Sequence, residues 1–408
     1  MKENKNIKIV EPRDSVDIHL PDGRILSGPR GGSAGDFLMA AGENPNKPIV
    51  AAVVNGDLRE LSYPIEIESR LSAVNMSTAD GARIYRRSLT FLLEFAFQQL
   101  FSKGKLTIDH SVSSGGYYCQ VSGREMLSAE ELEMLEKRMQ AEVADDRPFV
   151  REEIPLQEAI QYFESLGHLD KVNLLAHRKK NYLTLYRLGE HMDYHHGYMV
   201  PSTGYLRWFD LEAFDGGFAL RFPRRHKPME LLPMRRYPQL LDAFRRYGDW
   251  LTKLGIDNVG ALNNAVISGR EQEIVLVSEA FHEQHITDIA QQIASRRADL
   301  RLILIAGPSS SGKTTFSRRL TVQLLALGIS PFPLELDNYF VDRVNTPRDE
   351  YGEMDFEVLE TLNLPLLAEH LQKMILGERV QMPHYNFITG ISEPGEEIQV
   401  QQDQLIIL

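Results

Sequence analysis

"LILIAGPSSSGKTTFSRRL", residues 302–320, decides the fold of the C-terminal part of the chain. A strand of buried type, expected over 300–306, leads into a Gly/Ser-rich turn, and a helical pattern follows. Gly307, Pro308, Ser309, Ser310, Ser311, Gly312, Lys313 and Thr314 satisfy G-x-x-x-x-G-K-[ST] without exception. The glycines let backbone N–H groups curl around phosphate oxygens, and the opening helix adds a favourable dipole. Lys313 brings a mobile positive charge to the β- and γ-phosphates, and Thr314 a hydroxyl for Mg²⁺. These residues with Thr315 predict a loop that holds a nucleoside triphosphate, read as ATP.

Next comes "ISPFPLELDNYFVDR", residues 329–343, read as a second strand ending in Asp337. In an open parallel sheet the carboxyl ends of strands face the ligand crevice. A carboxylate there accepts a proton from a substrate hydroxyl or holds a metal-bound water; equally, it caps a turn.

The rest of the chain bounds the reading. At 408 residues it exceeds a usual single core, so two or three domains are expected. A net charge of −12 argues against a general nucleic-acid binder, Arg224-Arg225 and Arg235-Arg236 notwithstanding. A single cysteine, Cys119, excludes an internal disulfide and a Cys-based zinc site within one chain. The start lacks a signal-peptide core, and no stretch of about 18 apolar residues offers a membrane span. A cytoplasmic protein without membrane partners is expected.

Working back from the loop, residues 238–296 read as mainly helical and 180–236 as β and loop. "VDIHLPDGRIL" (16–26) and "PIVAAVVNGDLREL" (48–61) read as hairpins around Asp22-Gly23 and Asn55-Gly56, clasping a short helix in 33–42. That is the pattern of a β-grasp module. Helices are expected over 80–101, 127–139 (with a Ser128/Glu131 capping box) and 155–166, and a strand–turn–strand over 105–121.

"GPSSSGKTT", "LDNYFVDR", "YGEMDFEVLETLNLPLL" (351–367) and "VQMPHYNF" (380–387) resemble, in order and spacing, the uridine kinase and phosphoribulokinase group of P-loop kinases. The resemblance covers 300–408. It implies Asp337 as general base on a nucleoside 5′-hydroxyl and as a metal-site residue beside Thr314. It also implies Asp355 on the ribose hydroxyls, and Tyr385 and Phe387 in the base pocket. Gly390 and Ser392 stand where uridine kinases carry a base-reading segment with His and Arg. The implied activity is phosphoryl transfer to a nucleoside or related small alcohol. In that family the strand matching 399–408 leads to an acidic Mg²⁺ residue and a later arginine lid, so a longer protein is expected.

Residues 10–240 resemble the amino-terminal half of threonyl-tRNA synthetase, a TGS module followed by an editing-type domain. The matching pieces are "IHLPDG" (18–23), "VVNGDLREL" (53–61), "SGGYYCQV" (114–121), "LSAEELEMLEKRM" (127–139) and "DYHHGYMVP" (193–201). The family's helix His pair falls on Arg87 and Phe91, and its later Cys and His fall on His195 and Met199. The resemblance therefore implies an editing-type scaffold without its hydrolytic chemistry. His110, His195 and His196 are read as polar or surface histidines rather than a new metal site.

The expected chain mixes α+β and α/β domains. A β-grasp TGS module (1–65) precedes a degenerate editing-type domain (66–240), a helical connector (241–298) and a P-loop parallel α/β domain (299–408), incomplete at its C-terminus. The leading function is an ATP- and Mg²⁺-dependent nucleoside kinase. The rival is an NTP-binding regulatory protein whose leader senses RNA or an amino acid. Homo-oligomerisation and RNA contact are open partner roles.

Overall fold

The computed structural model describes residues 13–42, 48–112, 115–214, 216–307, 310–348, 354–356 and 358–408. They form two compact units, 1–267 and 268–408.

The first unit opens with the two expected hairpins. β1 (Ser15–His19) and β2 (Ile25–Pro29) pair antiparallel, and α1 (Ala34–Ala41) follows. Ser33 caps α1: its hydroxyl accepts the Asp36 N–H at 3.1 Å, and the Asp36 carboxylate accepts the Ser33 N–H at 3.3 Å. β3 (Ile49–Val54) and β4 (Asp57–Arg59) turn through Asn55 and Gly56. Their φ values of +52° and +92° match a two-residue hairpin turn with both central residues left-handed. β5 (Ser69–Asn75) then runs parallel to β1 and antiparallel to β3, giving the order β2-β1-β5-β3-β4. The sheet thus runs past residue 65, because its central strand comes last. Ile49, Ala52 and Val54 bury against Phe37 and Leu38, while Val50 and Ala51 bury in the neighbouring core. An apolar run without alternation is what a strand covered on both faces requires.

That neighbouring core surrounds α2 (Ala79–Leu100), capped by Thr78. β6 (Lys105–Val112) and β7 (Gly116–Ser122) form the expected hairpin, and α3 (Ala129–Ala144) carries its Ser128/Glu131 capping box. β8 (Val150–Pro155), α4 (Leu156–Ser165), α5 (Leu169–Ala176), β9 (Tyr182–Leu188) and β10 (His191–Asp193) make a smaller α/β layer of strand order β10-β9-β8. β11 (Asp210–Phe214) and β12 (Gly217–Arg221) complete the sheet β11-β12-β7-β6. α6 (Pro238–Leu254) and α7 (Val259–Ile267) follow. α7 approaches α5 so closely that a Cβ on Gly260 would stand 2.8 Å from the Leu174 nitrogen.

The second unit begins with α8 (Glu271–Ser295), then β13 (Leu302–Ile303), α9 (Lys313–Ala326) and β14 (Pro331–Pro333). α10 (Leu364–Leu376), the hairpin β15 (Arg379–Asn386) and β16 (Ile391–Gln399), and β17 (Leu405–Ile407) complete it. β17 lies between β13 and β14, parallel to both. Leu405 and Ile407 join Ile286, Ile293, Leu320 and Leu324 of α8 and α9, while Ile406 joins Leu367, Met374 and Val380 on the opposite face. The apolar end of the sequence is the buried parallel strand its pattern implied.

Three boundaries differ from the sequence reading. The strand expected over 300–306 pairs only at Leu302–Ile303, and Leu304 is 67% exposed, because one neighbour alone supports it. The strand expected to end at Asp337 ends at Pro333; Asp337 stands in a 3₁₀ turn, Leu336–Tyr339. The helical stretch 241–298 divides, α6 and α7 falling in the first unit and α8 in the second. Among the described residues no helix is long and apolar enough to cross a membrane.

Candidate functional site

The loop of the opening motif follows β13 and opens α9. Gly312 is the residue before the helix, at φ +88°, where a side chain would strain the turn, and Ser310 takes φ +58°. A Cβ on Gly307 would stand 2.8 Å from the Ser311 Oγ, so a side chain there would force Ser311 to shift. Lys313 is the first helical residue, and its ammonium donates to the Gly307 carbonyl at 2.8 Å, folding back across the loop it serves. Ser311, Lys313, Thr314 and Thr315 are exposed residues. Pro308 and Ser309 lie outside the described residues.

Asp337 reaches the same side of the sheet by a different strand. Ile303, Ile407 and Pro333 are aligned across β13, β17 and β14 in one row. Gly307 stands four positions beyond Ile303, and Asp337 four beyond Pro333, so both leave the carboxyl edge at the same level. The Asp337 side chain is exposed. Its turn is fixed from behind. Tyr339 is buried with its hydroxyl 3.1 Å from His370 Nδ1, and the Val341 N–H donates to Thr361 at 2.9 Å. Burial pushes the Tyr339 phenol up to about 12, so it stays a neutral support.

Tyr385 and Phe387 do come together, at 5.1 Å between ring centroids. Phe340, three residues beyond Asp337, joins them at 5.5 and 6.4 Å, and Phe356 packs on Phe340 at 6.0 Å. Tyr385 is buried and its hydroxyl oxygen has no hydrogen-bond partner, while Phe387 is 58% exposed. Asn338 Oδ1 accepts the Tyr385 N–H at 3.3 Å, which ties the turn of Asp337 to β15. Arg343 adds a second tie, donating to the Phe387 carbonyl at 2.6 Å. Gly390 and Ser392, where the resemblance expected a base-reading segment, instead serve this hairpin: the Gly390 carbonyl accepts the Arg343 N–H at 2.8 Å, and the Ser392 N–H donates to Asp342 at 2.8 Å. Asp355 is half-buried, its N–H held by the Pro347 carbonyl at 2.9 Å. Phe340, Phe356, Asn338 and Arg343 escaped the sequence reading, although "DNYFVDR" carries three of them in one run.

The first unit holds a different polar cluster. Glu94 of α2, Asp193 of β10 and His195 bring three donor atoms within 4.8 Å of one another. Lys171 pairs with Asp193, and Glu94 lies 3.6 Å from His195. Burial alone would raise the Glu94 carboxyl, but His195, Lys171 and His191 outweigh it and hold it below its ordinary value. Burial likewise opposes the Lys171 ammonium, yet Asp193 and Glu94 keep its pKa raised. The lysine supplies the charge these carboxylates need. His195 does not gather with His110 or His196: His110 stacks on Phe244 at 4.1 Å, and His196 meets Tyr194 at 5.9 Å. Phe91 packs on His191 and His195 at 5.0 and 5.6 Å between ring centroids.

Residues 302–408 match the model of the Phosphoribulokinase / Uridine kinase family. The second unit thus contains a P-loop kinase domain of the phosphotransferase type. The first half is similar to threonine–tRNA ligases. It is 32% identical over 204 residues to that of Polaromonas sp. (strain JS666), and 34% over 202 residues to that of Azoarcus sp. (strain BH72). The match covers 50% and 49% of this chain, and 32% of each relative. The chain therefore spans about a third of the length of the curated relatives it matches. Sequence relatives of two kinds meet in one chain, consistent with a fusion.

Proposed function

We propose that the protein is an ATP-dependent kinase that phosphorylates a hydroxyl of a nucleoside or a related small alcohol. The observation that carries this reading is the common row of Ile303, Ile407 and Pro333. It sets the phosphate loop and Asp337 at the same carboxyl edge, with the aromatic group of Phe340, Tyr385 and Phe387 beside the Asp337 turn. A switch that only binds nucleotide has no use for an acceptor base next to an aromatic platform.

In this mechanism the loop amides and Lys313 hold the β- and γ-phosphates, and Lys313 leaves the Gly307 carbonyl to do so. Asp337 accepts the acceptor hydroxyl's proton as the hydroxyl oxygen attacks the γ-phosphorus in line, and the bond to the β–γ bridging oxygen breaks, its electron pair leaving with ADP. Phe387 and Phe340 meet the acceptor's ring with the buried Tyr385 supporting them from behind, and Asp355 receives its ribose hydroxyls. The left-handed turn at Gly312 and the exposed residue Thr314 fit a metal-nucleotide ligand. Thr314 and Asp337 would hold Mg²⁺, which when bound supplies charge neutralisation to the transferred phosphoryl group. The leader reads as a TGS-like β-grasp module and an editing-type domain whose helix positions, Arg87 and Phe91, no longer support hydrolysis.

The test is phosphate transfer from labelled ATP by the full chain to a nucleoside panel, with and without tRNA. Transfer to one nucleoside class supports the proposal. Nucleotide-dependent RNA or amino-acid binding with no transfer to any hydroxyl would replace it with the regulatory reading.

A further inference from the structure

A second group of cations lies in the first unit, unconnected with the phosphate loop. Arg83, Arg86, Arg87 and Thr90 occupy positions i, i+3, i+4 and i+7 of α2 and so share one stripe of the helix. Tyr117 of β7 and His195 form the remaining wall of a cavity of about 250 Å³.

Several buried or half-buried arginines in this unit are answered by carboxylates, while Arg178 and Arg245 meet neutral oxygens. Arg124 meets Glu131 at 2.6 Å, Arg147 meets Glu142 at 2.9 Å and Arg221 meets Glu212 at 3.0 Å. Arg83, at the rim, pairs with Asp80 at 2.8 Å, but among the described residues no ion pair reaches Arg86 or Arg87. Arg86 donates to the Ala82 carbonyl at 3.1 Å and lies 5.6 Å from the Phe222 ring centroid. Arg87 donates to the Tyr198 carbonyl, and its guanidinium packs on Gly197, where a Cβ would stand 2.9 Å from Nη2. Both are oriented by neutral partners without being neutralised. Burial, with Arg83 and Arg86 nearby, draws the Arg87 pKa below its usual value, the mark of a cation with no counter-ion.

We propose that this cavity binds the phosphate of a small phosphomonoester, with Arg86 and Arg87 donating to its oxygens and Tyr117 adding a hydroxyl, while the Thr90 hydroxyl donates to the Arg87 carbonyl at 2.8 Å and braces that arginine from behind. A carboxylate offers two oxygens and one charge, as does a phosphodiester within RNA. A phosphomonoester presents three oxygens and about −1.5 to −2 charge at neutral pH, which matches two unanswered guanidinium groups. The Phe91 ring, packed on His191 and His195, leaves the cavity a binding site without hydrolytic machinery.

The phosphate loop also takes phosphate, so the test uses the full chain carrying Lys313→Ala. Calorimetric titration with inorganic phosphate, and separately with uridine 5′-monophosphate, should show one site per chain. Adding Arg87→Gln, or independently the more superficial Arg86→Gln, should weaken that site at least tenfold with the melting temperature of the first unit retained. Should Arg87→Gln fail to fold, Arg86→Gln decides alone. Absence of this site in the Lys313→Ala chain, or affinity unmoved by Arg86→Gln, overturns the proposal. So does binding of an RNA oligonucleotide that depends on Arg86 while neither phosphate probe binds.

Discussion

The two units place cations by opposite means. In the second, Lys313 and the loop amides come from nine consecutive residues, and Lys313 sits exposed, resting on the Gly307 carbonyl. In the first, Arg86 and Arg87 stand on a helix whose buried face is core, and Tyr117 and His195 reach them from distant strands and loops. A site made by local backbone geometry tolerates solvent and announces itself in sequence. A site assembled by packing is shielded, and its charges must be matched by whatever enters.

The comparison can be broken most sharply at Asp337. Asp337→Asn keeps the shape of an exposed turn residue but removes the basic oxygen, so turnover should fall about 10²–10⁴-fold with ATP affinity unchanged. Turnover and affinity both unmoved in a nucleotide-binding assay would reduce Asp337 to a turn residue. Lys313→Ala should cost about 10²–10³-fold in transfer while leaving thermal unfolding unaltered, since the side chain is exposed. A large drop in melting temperature would show that its bond to Gly307 is structural.

In the first unit the same kind of truncation should act on stability. Phe91→Ala empties a fully buried position beside His191 and His195 and should cost about 3–5 kcal/mol in chemical denaturation. A cost below about 1 kcal/mol would mean the helix collapses onto the gap. The smallest effect concerns acidity. Burial lowers the pKa of His191 from its model-peptide value of 6.5, so the unfolded chain binds its proton first. Its contribution to stability is full above about pH 6.5 and is lost as pH falls toward the folded-state pKa. His191→Gln should flatten that limb of the urea midpoint against pH, and an unchanged limb would assign it to His168, whose pKa burial also lowers.

What could be read from the sequence follows the same division. The phosphate loop, both N-terminal hairpins and the Ser128/Glu131 capping box were legible because each is fixed by residues a few positions apart; the second box, Ser33 with Asp36, was not read. The extent of β13 was overread: seven apolar-patterned residues gave two paired ones, since pairing depends on a neighbour 100 residues away. Asp337 was read as the end of a strand, although the sheet releases the chain at Pro333. The meeting of Glu94 with Asp193 and His195 was invisible for want of any local signal. A helical projection offered one hint, since Glu94 lies seven positions from Arg87 and three from Phe91, on the same face of α2. The contrast between paired and unpaired arginines needs three dimensions, because i, i+3 and i+4 arginines on a helix are usually a solvated face.

The central place of β17 sets the timing of the second unit's birth on the ribosome. β13 and β14 share no ladder; each is bonded only to Leu405–Ile407, about a hundred residues downstream of the phosphate loop. Until that strand emerges, no β-ladder aligns the two ends that carry Lys313 and Asp337. The nucleotide site therefore assembles in a single late event of high contact order, slow by comparison with the locally closed hairpins of the first unit. During synthesis the first unit is already folded while the catalytic edge is still an open chain.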